Sequence, residues 1–252
     1  MNKIILSCVA CIAFVNNAFS QSTKPNTLSL SLGPAFAIGQ FASKEFNSEK
    51  SGFAKPGGAL ALSYTRFVSK QFGVSININA QHNPMNVEAL EDEYNKSFQG
   101  FSSWSFDKRS WLYAAALLGA TGQFPLDKKD KFAFVAKAMA GYAFAKSPGI
   151  EGNASNTTGM AKVEQDKAKG SGFTYCGGAG INYTINKSVF LTSLVCYNGA
   201  PNMKFKDVKT VTTAVQGTIG MPDYQAYQYM TTRDEKQTIS SVNVMVGVGL
   251  RF

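Results

Sequence analysis

The chain has 252 residues and a formal net charge of +9, from 25 basic and 16 acidic side chains. A length of this order suits one barrel domain, and a positive charge without an arginine-rich cluster is a poor match to nucleic acid, so we expect no nucleic-acid partner. After the N-terminal region, the longest apolar run, residues 111–120, is roughly half of the ~20 residues that a membrane-spanning helix needs. The composition therefore excludes a helical membrane protein.

The N-terminus has the pattern of a secretory signal peptide. Lys3 precedes an apolar run from Ile4 to Val15, and the small residues Ala18 and Ser20 follow it. The run is too short to span a bilayer, and small residues before a cleavage point are typical of exported proteins. We expect residues 1–20 to be cleaved and residues 21–252 to form one domain.

Eight later segments alternate apolar and polar residues with the period of a β-strand. They are residues 26–39, 57–68, 72–82, 109–124, 132–145, 172–185, 189–197 and 238–252. Each reaches or nearly reaches the 9–11 residues with which a tilted strand crosses a membrane. The fourth segment leaves its outward face open, because Trp111, Tyr113 and Leu117 compete with Leu112, Leu118 and Phe124 for it.

The links between these segments alternate in length. Short links fall at residues 69–71, 125–131 and 186–188, and long links at 40–55, 83–108, 146–171 and 198–237. Short turns at one end and long loops at the other are typical of bacterial outer-membrane barrels, whose turns face the periplasm. We therefore predict an all-β fold: an eight-stranded antiparallel up-and-down transmembrane β-barrel with short periplasmic turns and long extracellular loops. An even strand number places both termini in the periplasm.

The last segment is the most regular. Residues 242, 244, 246, 248 and 250 are apolar, their neighbours are polar, glycine or methionine, and the chain ends at the outward Phe252. With the signal peptide, the eight strands and the loop asymmetry, this terminus resembles the small OmpA/OmpX-like outer-membrane barrels. The resemblance implies that the outer-membrane assembly machinery recognises the last strand through Phe252. We expect no periplasmic domain after it.

A soluble eight-stranded barrel such as a lipocalin also alternates, with its apolar face inside. Alternation alone does not distinguish the two. Glycines and polar residues that share one face, aromatic residues at strand ends and one-sided loop lengths favour the membrane barrel.

Residues with catalytic or metal-binding chemistry are sparse. His82 is the single histidine, and the sequence specifies no nucleophile near it. After the predicted signal peptide, the sequence has no second histidine and no cysteine pair at metal spacing. We expect no catalytic, cofactor-binding or metal-binding residue. In the second long loop, Asn86 followed by Val87, Leu90 and Tyr94 predicts a short amphipathic helix, and the last long loop predicts strands that continue above the membrane.

Four residues of the strands are candidates for the barrel interior. Lys137 and Arg251 are predicted to be interior cations, with no strand carboxylate to neutralise them. Cys176 and Cys196 each lie ten residues from Asn186, so a hairpin centred there places them opposite each other and predicts an interior disulfide. The alternative, two buried free thiols in a register shifted by one residue, stays open.

Fold alone does not choose among the functions found on such barrels. The leading prediction is a non-enzymatic barrel whose extracellular loops mediate surface contact or envelope integrity. A small diffusion pore is the alternative, and a lipid-modifying enzyme comes third. The expected partners are outer-membrane lipid and lipopolysaccharide, the assembly machinery and an extracellular partner of the loops. Lysines in the long loops are candidates for lipopolysaccharide phosphates, although intermixed acidic residues make a solvated surface the default interpretation. They lie at positions 50, 55, 96, 108, 146, 162, 167, 169, 204, 206 and 209.

Overall fold

The computed structural model describes residues 26–45, 51–98, 103–156, 159–216 and 225–252. The predicted signal peptide lies outside these residues. The strands are β1 (Asn26–Ala37), β2 (Gly57–Phe67), β3 (Phe72–Pro84), β4 (Trp104–Phe106), β5 (Ser110–Pro125), β6 (Phe132–Lys146), β7 (Ile150–Asn156), β8 (Gly159–Gln165), β9 (Lys169–Thr184), β10 (Val189–Gln216) and β11 (Gln225–Arg251). Helix α1 spans Val87–Ser97 and a 3-10 turn spans Gly39–Phe41. No helix in these ranges has the length and hydropathy to cross a bilayer.

Eight of the strands close into an antiparallel ring. The order is β1-β2-β3-β5-β6-β9-β10-β11, and β11 pairs again with β1. At the seam, the Asn26 backbone N–H donates to the Phe252 carbonyl at 3.1 Å, and the Phe252 N–H donates back at 3.0 Å. The eight predicted strands and their antiparallel closure are confirmed. Strands β4, β7 and β8 were not predicted, and they lie within the two middle long links.

Short turns join the ring strands at one end, which we call the turn end. In the turn before β10, the Asn186 side chain accepts the backbone N–H groups of Ser188 and Val189 at 2.8 and 2.9 Å. In the turn before β6, the Asp127 carboxylate accepts the Phe132 N–H at 2.7 Å, and this bond lowers the pKa of Asp127 below its usual value. Local side-chain to backbone bonds of this kind fix tight turns. All three predicted short links are therefore turns.

The structure resolves the facing of β5. Trp111, Tyr113 and Leu117 point inward and are buried, whereas Leu112 and Leu118 point outward and are exposed. The two inward rings find polar partners inside. Trp111 Nε1 donates to the Gly52 carbonyl at 2.8 Å, and the Tyr113 hydroxyl lies 2.7 Å from Thr174 Oγ1. These rings, which carry polar groups, point inward because the barrel interior offers them hydrogen-bond partners.

Inward glycines bring neighbouring strands of the ring close together. A Cβ built on Gly180 of β9 would meet the Ser193 carbonyl oxygen and lie 2.8 Å from Leu194 Cα, both on β10. Gly141 of β6 has the same relation to the Ala116 carbonyl oxygen of β5. By contrast, a Cβ on the outward Gly177 meets nothing within 4 Å. A narrow barrel crowds its concave side, so glycine is the residue that fits at these inward positions.

At the opposite end, which we call the loop end, β10 and β11 continue beyond the ring. β10 and β11 have 28 and 27 residues, far more than a membrane crossing needs. Beyond the ring, β10 also pairs with β8, β8 with β7, and β7 with β4. These strands form a protruding sheet in the order β11-β10-β8-β7-β4. The predicted extension of the last long loop as strands is confirmed.

Helix α1 packs on this protruding sheet. It begins after Asn86, whose side chain accepts the Ala89 backbone N–H at 3.3 Å, as the sequence predicts for an N-cap. Leu90 of the helix is buried in a small core with Trp104, Phe106 and Val163 of the sheet. The loop end therefore has its own packed core.

Candidate surface-contact site

The outer surface of the ring is apolar on all eight strands. The exposed outward side chains include Leu32 at 60%, Ile78 at 55%, Leu118 at 59%, Phe144 at 63%, Ile181 at 46% and Val246 at 57%. The inward positions hold buried polar side chains, among them Ser31, Ser63, Asn77, Thr121, Thr192 and Asn243. A continuous apolar belt is unfavourable in water and matches the hydrocarbon of a bilayer. The fold is that of a small outer-membrane β-barrel. Its polar inside and apolar outside are the reverse of the lipocalin arrangement.

The barrel interior is filled by its own side chains. Ser75 Oγ lies 2.6 Å from the hydroxyls of both Thr65 and Thr121, which links three neighbouring strands. Closer to the loop end, Asn79 Nδ2 donates to Asn198 Oδ1 at 3.2 Å across the lumen. The void beside these groups has a volume of about 20 Å³. Such a space holds roughly one water molecule.

The two predicted cations occupy different levels of the interior. Lys137 Nζ donates to Ser63 Oγ at 3.4 Å near mid-barrel. Arg251 lies at the turn end, where Nη1 donates to Thr184 Oγ1 at 3.1 Å and the guanidinium sits 5.0 Å from the centre of the Phe190 ring. Within the described residues, neither cation forms an ion pair. Each is held by hydroxyls, and Arg251 also by an aromatic face.

The predicted register of the two cysteines is wrong. The β9–β10 pairing is centred on Lys187 and not on Asn186, so Cys176 lies opposite Asn198, and Cys196 lies opposite Gly178. This displacement of two residues keeps both side chains on the inward face. Both are buried, and both are free thiols. The predicted disulfide is absent from the structure, and both thiols are free and buried as in the alternative, although the register is shifted by two residues and not by one. Gly178 leaves the space that the Cys196 sulfur occupies.

We expect denatured, unreduced protein from the mature chain to react with two equivalents of a thiol reagent. The native barrel should react slowly, because both sulfurs face a packed interior. The measurement is mass spectrometry after maleimide labelling, with and without denaturant. Absence of labelling in the denatured sample would show that oxidation joins the two cysteines despite their offset.

Phe252 and His82 both lie on the outer surface. Phe252 points outward at the turn end and is 55% exposed, with its backbone paired to Asn26. His82 is an exposed residue of β3 with Gly58 and Leu112 as cross-strand neighbours. Within the described residues, its side chain forms no hydrogen bond or ion pair. Across the same ranges, no group of three His, Cys, Asp or Glu side chains could hold a metal ion.

The protruding sheet has one capped edge and one open edge. At β4, the backbone N–H groups of Trp104 and Phe106 donate to the side chains of Asn95 and Glu91 of α1, at 2.7 and 2.9 Å. At the other edge, residues 225–230 of β11 pair with β10 on one side, and the described part of the chain places no strand on the other. Unpaired sheet edges are usually blocked in natural proteins. The open edge of β11 is therefore a candidate contact site.

Exposed aromatic residues lie along this open edge. Tyr227 is 58% and Tyr229 70% exposed, and Met230 beside them is also exposed. All six residues from 225 to 230 are exposed. Tyrosine is enriched in protein interfaces because it combines a large apolar ring with a hydroxyl. The sequence indicated these tyrosines, but it gave no signal that α1 caps the opposite edge.

A cavity of about 400 Å³ lies between the protruding sheet and the barrel mouth. Trp111 and Phe205 form part of its lining, with ring centres 5.9 Å apart. On its polar side, Glu235 accepts Arg233 Nε at 3.1 Å and Gln165 Nε2 at 3.2 Å. This volume is in the range of small-molecule sites. These two bonds already satisfy the Glu235 carboxylate of the lining.

Comparisons with known proteins give matches among solved structures. No family model and no curated protein matches the chain. Among solved structures, the chain is similar to Neisserial surface protein A (10% identity, TM-score 0.47, 92% of this chain and 100% of the other). It is also similar to Ail, the attachment invasion locus protein of Yersinia pestis (10%, 0.43, 92% and 100%), and to outer membrane protein OprG of Pseudomonas aeruginosa (13%, 0.41, 91% and 97%).

Proposed function

We propose that this protein is a non-enzymatic contact protein of the bacterial outer membrane, with the turn end and both termini in the periplasm and the protruding sheet outside the cell. The observation that carries the proposal is the difference between the two edges of that sheet. The β4 edge is capped by Asn95 and Glu91 of α1, whereas residues 225–230 leave a strand edge open beside exposed tyrosines. With the β4 edge blocked and the β11 edge open, a strand of a partner protein can pair with β11.

The open edge supports a specific mode of contact. An extended segment of another protein can pair with β11 through backbone hydrogen bonds, and side chains then provide selectivity. Tyr227 and Tyr229 lie on this stretch and supply apolar area with few rotatable bonds. The partner we propose is a protein that presents an unpaired β-strand, such as a protein on another cell.

The test is attachment of cells that display the protein, measured on cultured epithelial monolayers and by settling of cell suspensions. We expect the double variant Tyr227→Ala, Tyr229→Ala to reduce attachment about tenfold or more, because aromatic anchors dominate interfaces. Glu88→Ala is the matched control: Glu88 is an exposed residue of α1 that pairs with Lys55 away from the open edge. Equal attachment of wild type and double variant, at equal surface display, would contradict the proposal.

A diffusion pore is the second candidate, and the packed interior argues against it. An eight-stranded barrel is just wide enough for its own side chains, and here they bond across the lumen. We expect purified protein in planar bilayers to show no stable single-channel steps. Steps with weak anion preference would establish a pore instead, since Lys137 and Arg251 are the interior cations.

A further inference from the structure

Four lysines form a stripe on the outer surface at the loop end. The lysine stripe consists of Lys146 of β6, Lys169 of β9, Lys204 of β10 and Lys236 of β11, and all four are exposed. Lys146 pairs directly with Lys169, and Lys204 pairs directly with Lys236. Lys204 also lies opposite Ser171, two residues from Lys169 on the same face. The register of four adjacent strands therefore brings together cations that are up to ninety residues apart in sequence.

No carboxylate neutralises the stripe within the described residues. None of the four lysines has an ion pair there, although lysines 55, 96 and 162 of the same end all do. Glu235 points to the opposite face of β11, and the nearest carboxylate on the outward face is that of Asp234, whose Oδ1 accepts the Asp207 backbone N–H at 3.2 Å. Like charges directly opposite each other in a sheet are destabilising. An anion that binds between them would remove this repulsion.

Apolar surface lies directly next to the stripe. Phe144 is two residues from Lys146 on the same face, and it is 63% exposed. Beside it runs a groove of about 740 Å³ whose lining includes Leu32, Leu60, Leu112, Ala114 and Phe144, with Lys146 and Lys169 also contributing. The small side chain of Ala114 lies between larger ones and makes the surface concave. The groove has the chemistry of an acyl-chain site with cations at one end.

The stripe is also confined to half of the barrel. At the loop end of β1, β2, β3 and β5, outward positions hold Phe36, Gly58, His82 and Leu112, with no lysine or arginine. For general attraction to an anionic membrane surface, we would expect cations around the whole circumference of the barrel. Cations on one side, next to one groove, fit a single bound lipid molecule.

We propose that the lysine stripe and the adjacent groove bind a phosphorylated glycolipid of the outer leaflet, the lipid A part of lipopolysaccharide. The phosphates lie on the lysines and an acyl chain lies in the groove. The orientation rests on the proposed function, because the loop end must face the outer leaflet. The binding itself does not require the open edge of β11.

The test is native mass spectrometry of the full barrel in detergent, titrated with purified diphosphoryl lipid A in the absence of divalent cations. We expect wild type to retain the lipid, and Lys169→Gln to weaken binding about fivefold, as for one lysine at an anionic lipid surface. The four-lysine variant (each Lys→Gln) should lose retention, and the four-arginine variant (each Lys→Arg) should restore it. Lys128→Gln with Lys187→Gln, two turn-end lysines, is the matched control, and heat-modifiable gel mobility confirms folding.

Three outcomes would overturn the proposal. One is equal retention of lipid A by wild type and by the folded variant in which each of the four lysines is changed Lys→Gln. Another is equal retention of phosphatidylglycerol, which would show that the stripe is a general cationic surface for anionic lipids. The third is binding of a soluble sulfated polysaccharide through the same lysines without lipid binding. None of these readouts involves Tyr227 or cell attachment, so failure here and failure of the proposed function are distinguishable.

Discussion

Replacing Gly180 with alanine is expected to lower the free energy of unfolding by about 1–3 kcal/mol, the usual cost of overpacking. The added methyl group would point inward, meet the Ser193 carbonyl oxygen and lie 2.8 Å from Leu194 Cα. Both contacts are backbone atoms of β10, so relief requires β9 and β10 to separate where Gly180 pairs with Leu194. Urea unfolding of the barrel in lipid vesicles, followed by tryptophan fluorescence, measures the change.

Gly177→Ala is the matched control on the same strand. Gly177 faces outward, and a Cβ there meets nothing within 4 Å. Alanine at this position should leave stability unchanged or raise it by about 0.5–1 kcal/mol, because glycine weakens a strand interior. Equal destabilisation by both substitutions would show that chain flexibility, and not the close approach of β9 to β10, explains glycine in this strand.

The substitution Phe252→Ala is expected to reduce the amount of barrel in the outer membrane several-fold while changing the stability of the refolded barrel by less than about 1 kcal/mol. The ring is 55% exposed at the turn end, so it adds little packing inside the protein. Both backbone hydrogen bonds with Asn26 remain in the variant. Assembly, in contrast, must recognise the last strand before the ring has closed. The measurements are quantitative immunoblotting of membrane fractions and urea unfolding of refolded protein.

Leu250→Ala provides the comparison, because Leu250 is 49% exposed on the same face of β11 and is not the terminal residue. The amount of the Leu250→Ala variant in the outer membrane should stay close to that of wild type. A normal level of Phe252→Ala, or an equal loss in both variants, would remove the terminal aromatic as an assembly signal.

The ring could be predicted from sequence because each of its strands meets two different solvents. Lipid on one side and a polar interior on the other impose a period of two, which is visible in β1, β3, β9 and β11. Alternation did not decide β5, since Trp111 and Tyr113 are apolar enough for either side. Their inward position depends on partners such as Gly52 and Thr174, which are distant in sequence.

Features outside the membrane were harder to predict, because one period of alternation no longer applies there. Strands β4, β7 and β8 are short and are stabilised by pairing and by the core around Leu90 and Trp104. The hairpin register shifted because the turn pairs Ile185 and Asn186 with the Val189 carbonyl. Turn geometry of this kind sets the centre of a hairpin, and counting residues from Asn186 did not find it. The lysine stripe depends on the same register.

The continuity of β10 and β11 has a mechanical consequence. Their pairing runs from Val189 opposite Leu250 to Gln216 opposite Gln225, with two irregularities, and joins the membrane-embedded ring to the tip of the protruding sheet. A pull on the tip would act along both strands at once, so the hydrogen bonds that join them to β9 and β1 would be loaded together instead of opening one by one. Force applied outside would pass straight into the part of the protein that the bilayer holds. A pull on the contact site that we propose at this tip would therefore reach the membrane anchor through paired strands.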